Sequence, residues 1–489
     1  MLIAHDLGTS GDKASLYDLD GTLVTSVTES YPTAYGPATR SEQDPEHWWR
    51  AVVSGTRRLL SASGTAPGAV TGICVGGTMM AVVCLDAAGT VLRPAMIWSD
   101  QRAAAQADRL RADVGDDHGY TVTGNRLAAT YTLPKLMWLT EHEPDVVART
   151  YRAVGHKDVV NARLTGIIAT DVTDASSTAA YDLREGSWSD ELVTASGIES
   201  RLLPLVVPST SILGPLTRAA AAELGLTTST VVVAGGGDGP MAAAGAGCVV
   251  PGQPGYVCLG TSAWYSRTTT APVLDPLRRS FTLSHVVPGL FVPTATTQAG
   301  AGTLEWLRGG IAPGMAIGDL VDEGLSTRAA DTGLFFLPYL TGERSPWWNP
   351  HASGVMAGLR RGHGRPELVR AVLEGVGFGL ALCMEPLVGH DEPVDVVGGG
   401  SDSDGWLALL ADIWGRPVRR RSVTAGATSL GVAITGLAGL GALDFGRAPE
   451  LSDVDAEFLP TSRADAYREH LERFVAAYLA MEPWFGTAG

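Results

Sequence analysis

Lysine is almost absent from this 489-residue chain: only Lys13, Lys135 and Lys157 occur among 36 cationic residues. Against 52 acidic residues this leaves a formal net charge of −16. That argues against non-specific nucleic-acid or anionic-membrane binding, which requires basic patches, but a small anion held by local donors stays open. Cysteine is scarce too. Cys74, Cys84, Cys248, Cys258 and Cys383 are scattered, without CxxC or Cys/His spacing, so buried reduced thiols are expected rather than disulfides or a zinc site. Long apolar runs are missing: the longest, residues 231–250, is broken by GGGDGP and cannot cross a membrane as one helix. The opening MLIAHDLGT has no basic stretch and a polar break at His5-Asp6. No secretory signal is expected there, and the cytoplasm is the expected location.

Glycine and short apolar runs are plentiful. With 45% hydrophobic and 18% charged residues, the chain is long enough for two globular α/β domains. The word LGTS occurs at residues 7–10 and again at 259–262. Around the first copy, LIAHDL, KASLYDL and TLVTSV read as three strands, the last two joined at Asp20-Gly21. Asp44 and Pro45 then open a helix whose Trp49, Val52, Val53, Leu59 and Leu60 fall near helical spacing. VTGICVGG reads as a strand, 81–98 as a hairpin, and 101–112, 133–141 and 158–164 as helices. The second half restarts with VVVAGGGDGPMAAAGAG, a strand, glycine turn and small-residue helix, followed by a second strand–LGTS–strand unit. A helix at Arg365–Met384, the turn VVGGGSDSDG and a helix at 406–414 complete it. Two similar halves, 1–230 and 231–489, are expected to face each other across a cleft.

Three turns carry candidate chemistry. In DLGTSGDK, backbone N–H groups and the hydroxyls of Thr9 and Ser10 suit a phosphate, and Asp6 suits Mg²⁺ held through water; an ordinary capped hairpin is the competing reading. The spacing is GxxGxK with a strand after it, so it is no Walker loop. The second copy lacks the acid and the lysine and could serve only as a clamp. In AGGGDGP, three glycines leave Asp238 bare at a helix start, the setting of a general base or of a helix cap. Gly399, Gly400 and Asp404 lie in the third glycine turn. Thr78, Met79 and Met80 after one strand, and Trp98, Asp100 and Arg102 after another, would suit a polyhydroxylated substrate, although methionines are more often core filler. Trp48, Trp49, Trp347 and Trp348 are expected to pack.

Taken in order, DLGTSGDK, EQDPEHWW, WSDQRAA, TYTLPKLMWLTEHEP, GGGDGP, GTSAW, FLPYLTGERSP and GGGSDSDGWLALLADIWGRPV resemble the FGGY carbohydrate kinases, closest to their xylulokinase group, from residue 1 to about 480. The resemblance implies two actin/hexokinase-type (ribonuclease H-like) domains, the N-terminal one on the sugar side and the C-terminal one on the nucleotide side of a central cleft. It implies ATP and Mg²⁺ as cofactors and transfer of phosphate to a hydroxyl of a small sugar, foremost a ketopentose such as D-xylulose. Asp238 falls at the family's catalytic base and Asp6 at its magnesium-associated acid. Thr9, Ser10, Lys13, Gly260, Thr261, Gly302, Gly399, Gly400 and Asp404 fall at nucleotide positions. Thr78, Met79, Met80, Trp98 and Asp100 join Asp238 at substrate positions. The expected partner is a small-molecule sugar, not nucleic acid or membrane, and a homodimer is left open.

One departure bears on the substrate. Xylulokinases usually show Gln-Met-His where this chain has Thr78-Met79-Met80, and Asp-Asn where it has Asp238-Gly239. Losing a hydrogen-bond partner changes which hydroxyls a site accepts, so another ketose such as ribulose, a polyol such as glycerol or a sugar acid such as gluconate is the alternative. An actin-like ATPase without a sugar is a further rival. A nicotinamide dehydrogenase is disfavoured, since no GxGxxG opens a helix after the first strand.

Overall fold

Alternation along Leu2–Leu7 sets the architecture. Ile3, His5 and Leu7 point to one side of the strand and Leu2, Ala4 and Asp6 to the other. Both apolar sets are buried, so the strand is covered on two faces and lies inside a sheet. The computed structural model describes residues 1–36, 39–389, 391–424 and 426–486. In it Leu2–Leu7 pairs antiparallel with Gly11–Tyr17 and parallel with Gly72–Gly77. The first sheet runs Leu23–Ser30, Gly11–Tyr17, Leu2–Leu7, Gly72–Gly77, Val231–Gly237, Ile212–Pro215. One face carries Ile3, Leu16, Ile73 and Val75 against Trp48 and Val52 of the helix Pro45–Ser63. That helix starts as its sequence implies, with the Asp44 carboxylate accepting from Glu46 N and Pro45 in the first turn. The other face carries Leu2, Ala4 and Cys74 against Met241 of Asp238–Gly245 and Val432, Ile434 and Leu437 of Ala427–Gly439.

The second sheet repeats the first. Its order is Phe291–Thr297, Ala263–Ser266, Tyr256–Leu259, Val394–Val397, Val418–Arg421, Val454–Phe458, with Phe281–Ser284 added at the outer edge. Antiparallel and parallel pairings follow in the same sequence as in the first sheet. The two LGTS words are therefore equivalent, each closing the first hairpin of a meander. Asp238–Gly245 and Ala427–Gly439, each following the third parallel strand of its sheet, are equivalent too, and they pack on each other between the sheets.

One expectation changes. Val231–Gly237, with which the sequence reading opens the second half, is hydrogen-bonded into the first sheet beside Gly72–Gly77. Parallel pairing with a strand about 160 residues earlier leaves no local trace. The five cysteines are free, and all but Cys258 are buried. Among the described residues no helix is long and apolar enough to cross a membrane.

Candidate active site

Leu7, Gly77 and Gly237 lie side by side at the ends of three parallel strands. The residues that follow them leave the sheet together, at the carboxyl edge where open α/β sheets bind ligands. They open onto a cavity of about 260 Å³ lined by Thr9, Thr78, Met79, Met80, Trp98 and Asp238 from this side. The second sheet closes it with Ser262, Trp264, Phe281, Leu283, Thr294 and Thr296, and Arg344 adds a cation. Six of the substrate, phosphate and catalytic positions expected from the sequence thus meet in one place, drawn from four separate segments.

Each wall is held from behind. Trp98 Nε1 donates to Thr9 Oγ1 at 3.0 Å. Thr78 Oγ1 and His156 Nδ1 are 2.5 Å apart, and burial pushes that imidazole down to about 3, so it is neutral. Met80 has φ +67°, a left-handed backbone that costs a side chain about 1–2 kcal/mol. Its carbonyl and that of Ile97 accept from the buried Lys135 ammonium at 2.9 and 2.7 Å. That clamp ties the Met80 wall to the Trp98 wall. Burial lowers Lys135 to about 7.

Asp238 is the first residue of its helix and Gly237 the cap, so the reading of Asp238 as the helix cap gives way to a carboxylate in the first helical turn. Burial raises its carboxyl to about 6, against the opposing pull of the Gly239 N–H at 2.9 Å. Asp6 lies on the strand face that looks toward this helix. Burial, then repulsion from Asp238 and Asp12, pushes it up to about 7, with Lys13 pulling the other way. Among the described residues no cluster of three or more His, Cys, Asp or Glu side chains could hold a metal. Asp6 brings one carboxylate to this face; the Mg²⁺ expected there from the sequence is an ion that keeps most of its waters and uses one or two carboxylates plus phosphate oxygens.

A second cavity of about 750 Å³ is lined by Gly260, Thr261, Gly302, Gly399, Gly400 and Asp404, with Glu305, Asp322 and Trp406. Gly302 and Gly400 are needed for packing: an added Cβ would meet Thr261 Cγ2 at 2.7 Å and Leu259 Cγ at 2.5 Å. Gly399 has nothing within 4 Å of such a Cβ and borders open space. The second LGTS turn is the partition. Leu259, Gly260 and Thr261 face the large cavity and Ser262 the small one.

Some expected residues lie elsewhere. Thr9, read as part of a phosphate loop, faces the small cavity. Ser10 and Lys13 line neither cavity; Lys13 sits across from Asp6 in the hairpin register. Asp404 lines the large cavity but also accepts from Arg420 Nη1 at 2.5 Å. Asp100 is fully buried outside both. It accepts from Ser41 N at 2.8 Å and from Arg102 Nε at 2.9 Å, and Arg102 continues to Glu42 at 2.9 Å. Asp100→Ala is expected to cost stability, about 3–5 kcal/mol as for other broken buried pairs, read as a lower melting temperature. Among molecules that stay folded, the substrate KM should be unchanged.

Arg344 escaped the sequence reading although GERSP was in view. Its guanidinium lies 5.8 Å from the Trp98 ring centre, and among the described residues no ion-pair partner is seen for it. Glu343 sets it in place, accepting from Arg344 N, from Thr297 Oγ1 and from Gln298 N. Burial raises this carboxyl to about 7.

The pattern has relatives. Residues 1–245 match the N-terminal domain and 255–440 the C-terminal domain of the FGGY family of carbohydrate kinases. The chain is 34% identical over 432 residues to a xylulose kinase of Escherichia coli K12, covering 86% of each. It is 26% identical over 457 residues to a gluconokinase of Bacillus subtilis 168, covering 89% of this chain and 88% of that one. The crystal structure of a xylulose kinase from Rhodospirillum rubrum matches with TM-score 0.89 at 30% identity over 99% of both chains.

Proposed function

The chain belongs to the FGGY family of carbohydrate kinases, and from that premise we propose that it transfers the terminal phosphate of ATP to a hydroxyl of a small ketose, foremost D-xylulose, with Asp238 as general base. The observation that carries this reading is the shared partition: one LGTS turn separates a hydroxyl-lined cavity containing Asp238 from a larger cavity walled by glycine turns. An acceptor in the first and a nucleotide in the second would meet at that turn. The xylulose kinase relatives support the ketopentose.

Within this proposal the N-terminal half and the Val231–Gly237 edge hold the sugar, the second sheet closes over it with Thr294 and Thr296, and the glycine turns of the second half hold the nucleotide. Trp98 covers a C–H face of the sugar while Thr78, Thr294 and Thr296 read its hydroxyls. Asp238 accepts the proton of the attacking hydroxyl. Asp6 would hold Mg²⁺ through water, where the ion supplies charge neutralisation to the phosphate oxygens. The N–H groups and hydroxyls around Gly260 and Thr261 donate to those oxygens. Drawing the halves together excludes water and limits wasteful hydrolysis.

A turnover screen with Mg-ATP and coupled ADP detection tests the reading against D-xylulose, D-ribulose, glycerol and D-gluconate. D-xylulose is expected to show the highest kcat/KM, and ATP turnover indifferent to every sugar would overturn the proposal. Arg344 favours one second reading, a sugar acid whose carboxylate the guanidinium receives. On that reading D-gluconate leads the panel, and Arg344→Met abolishes its turnover while sparing that of ketoses.

A further inference from the structure

Val231–Gly237 does not run straight to Asp238. Its register against Gly72–Gly77 slips between Val233 and Gly236, and Gly235 takes φ +73°. A Cβ there would lie 2.8 Å from Val75 C, so the bulge accepts only glycine. Bulges beside active sites re-aim the residues that follow them. Here the re-aimed end is held from outside the sheet. Asn161 Nδ2 donates to Ala234 O at 2.8 Å, and Gly237 N donates to Thr173 Oγ1 at 2.8 Å.

Thr173 is fully buried, and its own proton is already committed. It donates to Asp171 Oδ2 at 2.6 Å. Asp171 also receives Thr173 N at 2.9 Å, Asp174 N at 3.2 Å, Ser209 Oγ at 2.7 Å and Lys157 Nζ at 2.9 Å. A carboxylate so surrounded only accepts, so the hydroxyl rotor of Thr173 has one orientation and presents lone pairs alone to Gly237 N–H. The chain of contacts runs from a buried lysine, through a carboxylate and a hydroxyl, to the peptide N–H immediately before Asp238. No step of the proposed transfer uses Lys157, Asp171 or Thr173 directly.

We propose that Thr173 is a positioning residue for Asp238: its hydroxyl, oriented by Asp171, fixes the Gly237 N–H and thereby the direction in which the Asp238 carboxylate leaves the strand. The inference rests on the reading of Asp238 as the general base. A base displaced by a fraction of an ångström still allows substrate to bind but loses its reach to the attacking hydroxyl, and misplacement of about 1 Å can cost about a hundredfold. The role therefore separates kcat from KM, which general loosening of the fold would not do.

Steady-state kinetics of the full chain with Mg-ATP and D-xylulose test it. Thr173→Val, nearly isosteric, is expected to lower kcat about 30-fold with both KM values within about twofold. Thr173→Ser restores the hydroxyl and is expected to recover kcat to within about threefold of wild type. Ser209→Ala, which removes another donor to Asp171 without touching Gly237, is expected to leave kcat unchanged. Normal kcat in Thr173→Val, or a Thr173→Ser enzyme as impaired as Thr173→Val, overturns the proposal. Should Thr173→Val not fold, Thr173→Cys replaces it: its weak acceptor predicts a partial loss of kcat, and unchanged kcat overturns the inference. Asp238→Asn run in parallel separates the two readings. If Asp238→Asn is inactive while Thr173→Val is normal, only the positioning role fails. If Asp238→Asn retains kcat, the base assignment fails first.

Discussion

Asp238→Asn is expected to lower kcat about a thousandfold and, at pH 8, to raise the melting temperature. The first effect follows from the size of general-base assistance, about 10²–10⁴, since an amide cannot take the proton of the attacking hydroxyl. ATP binding should persist, because the glycine turns of the large cavity are untouched. The second effect follows from linkage. Burial raises this carboxyl from 3.8 to about 6, so between those values the folded protein binds the proton better than the unfolded chain. Its contribution therefore favours the fold at low pH and is lost as pH rises through about 6. Asparagine carries no such cost, so the gain is largest above pH 7 and vanishes near pH 4, as thermal melts at the two pH values would report. For the wild type, kcat/KM should fall about tenfold per unit below pH 6 as the base is protonated. A variant with near-normal turnover would remove Asp238 from its role as base, and one melting lower at pH 8 would refute the burial cost of its carboxylate.

Gly431→Ala is expected to cost about 3 kcal/mol or more, seen as a much lower melting temperature or as insoluble protein. The helices Asp238–Gly245 and Ala427–Gly439 touch backbone to backbone. A Cβ at Gly431 would come within 2.6 Å of Met241 C and overlap its oxygen, and one at Gly245 would come within 2.7 Å of Ala427 C. Neither obstacle is a side chain that can swing away. The same substitution at Gly309, exposed in Gly302–Ile311 with nothing within 4 Å, should stabilise by about 0.8–1 kcal/mol from helix propensity alone. Opposite signs for one chemical change would show that the small residues behind Asp238 serve the contact between the two halves.

Much of this was legible in the chain. The helix Pro45–Ser63 follows from Asp44, Pro45 and an apolar stripe, and Arg365–Met384 appears at its expected ends. Asp238 stood out because three consecutive glycines precede it. The meaning of its neighbours was harder to read. Asp100 resembles a ligand in WSDQR, yet Arg102 and Ser41 consume it from inside the fold. Thr9 sits in a phosphate-like loop, yet hairpin geometry turns it toward Trp98 and the small cavity. Arg344 gave no local signal, because its significance lies in having no ion-pair partner among the described residues, a property of all the surrounding segments at once. Thr173 was equally silent: an ordinary threonine becomes informative only when its proton is seen to be taken.

By itself the sequence determined the main elements, the duplicated LGTS meander and the carboxylate at a helix start, because each rests on periodicity or turn chemistry within a few residues. Tertiary structure alone decided that Val231–Gly237 joins the first sheet, that the two LGTS turns bring Thr9 and Ser262 to one cavity, and which carboxylates are already spent. Those outcomes depend on strand partners and side-chain neighbours far away in the chain. Burial and hydrogen-bond satisfaction are settled by the whole set of contacts, and no local pattern records them.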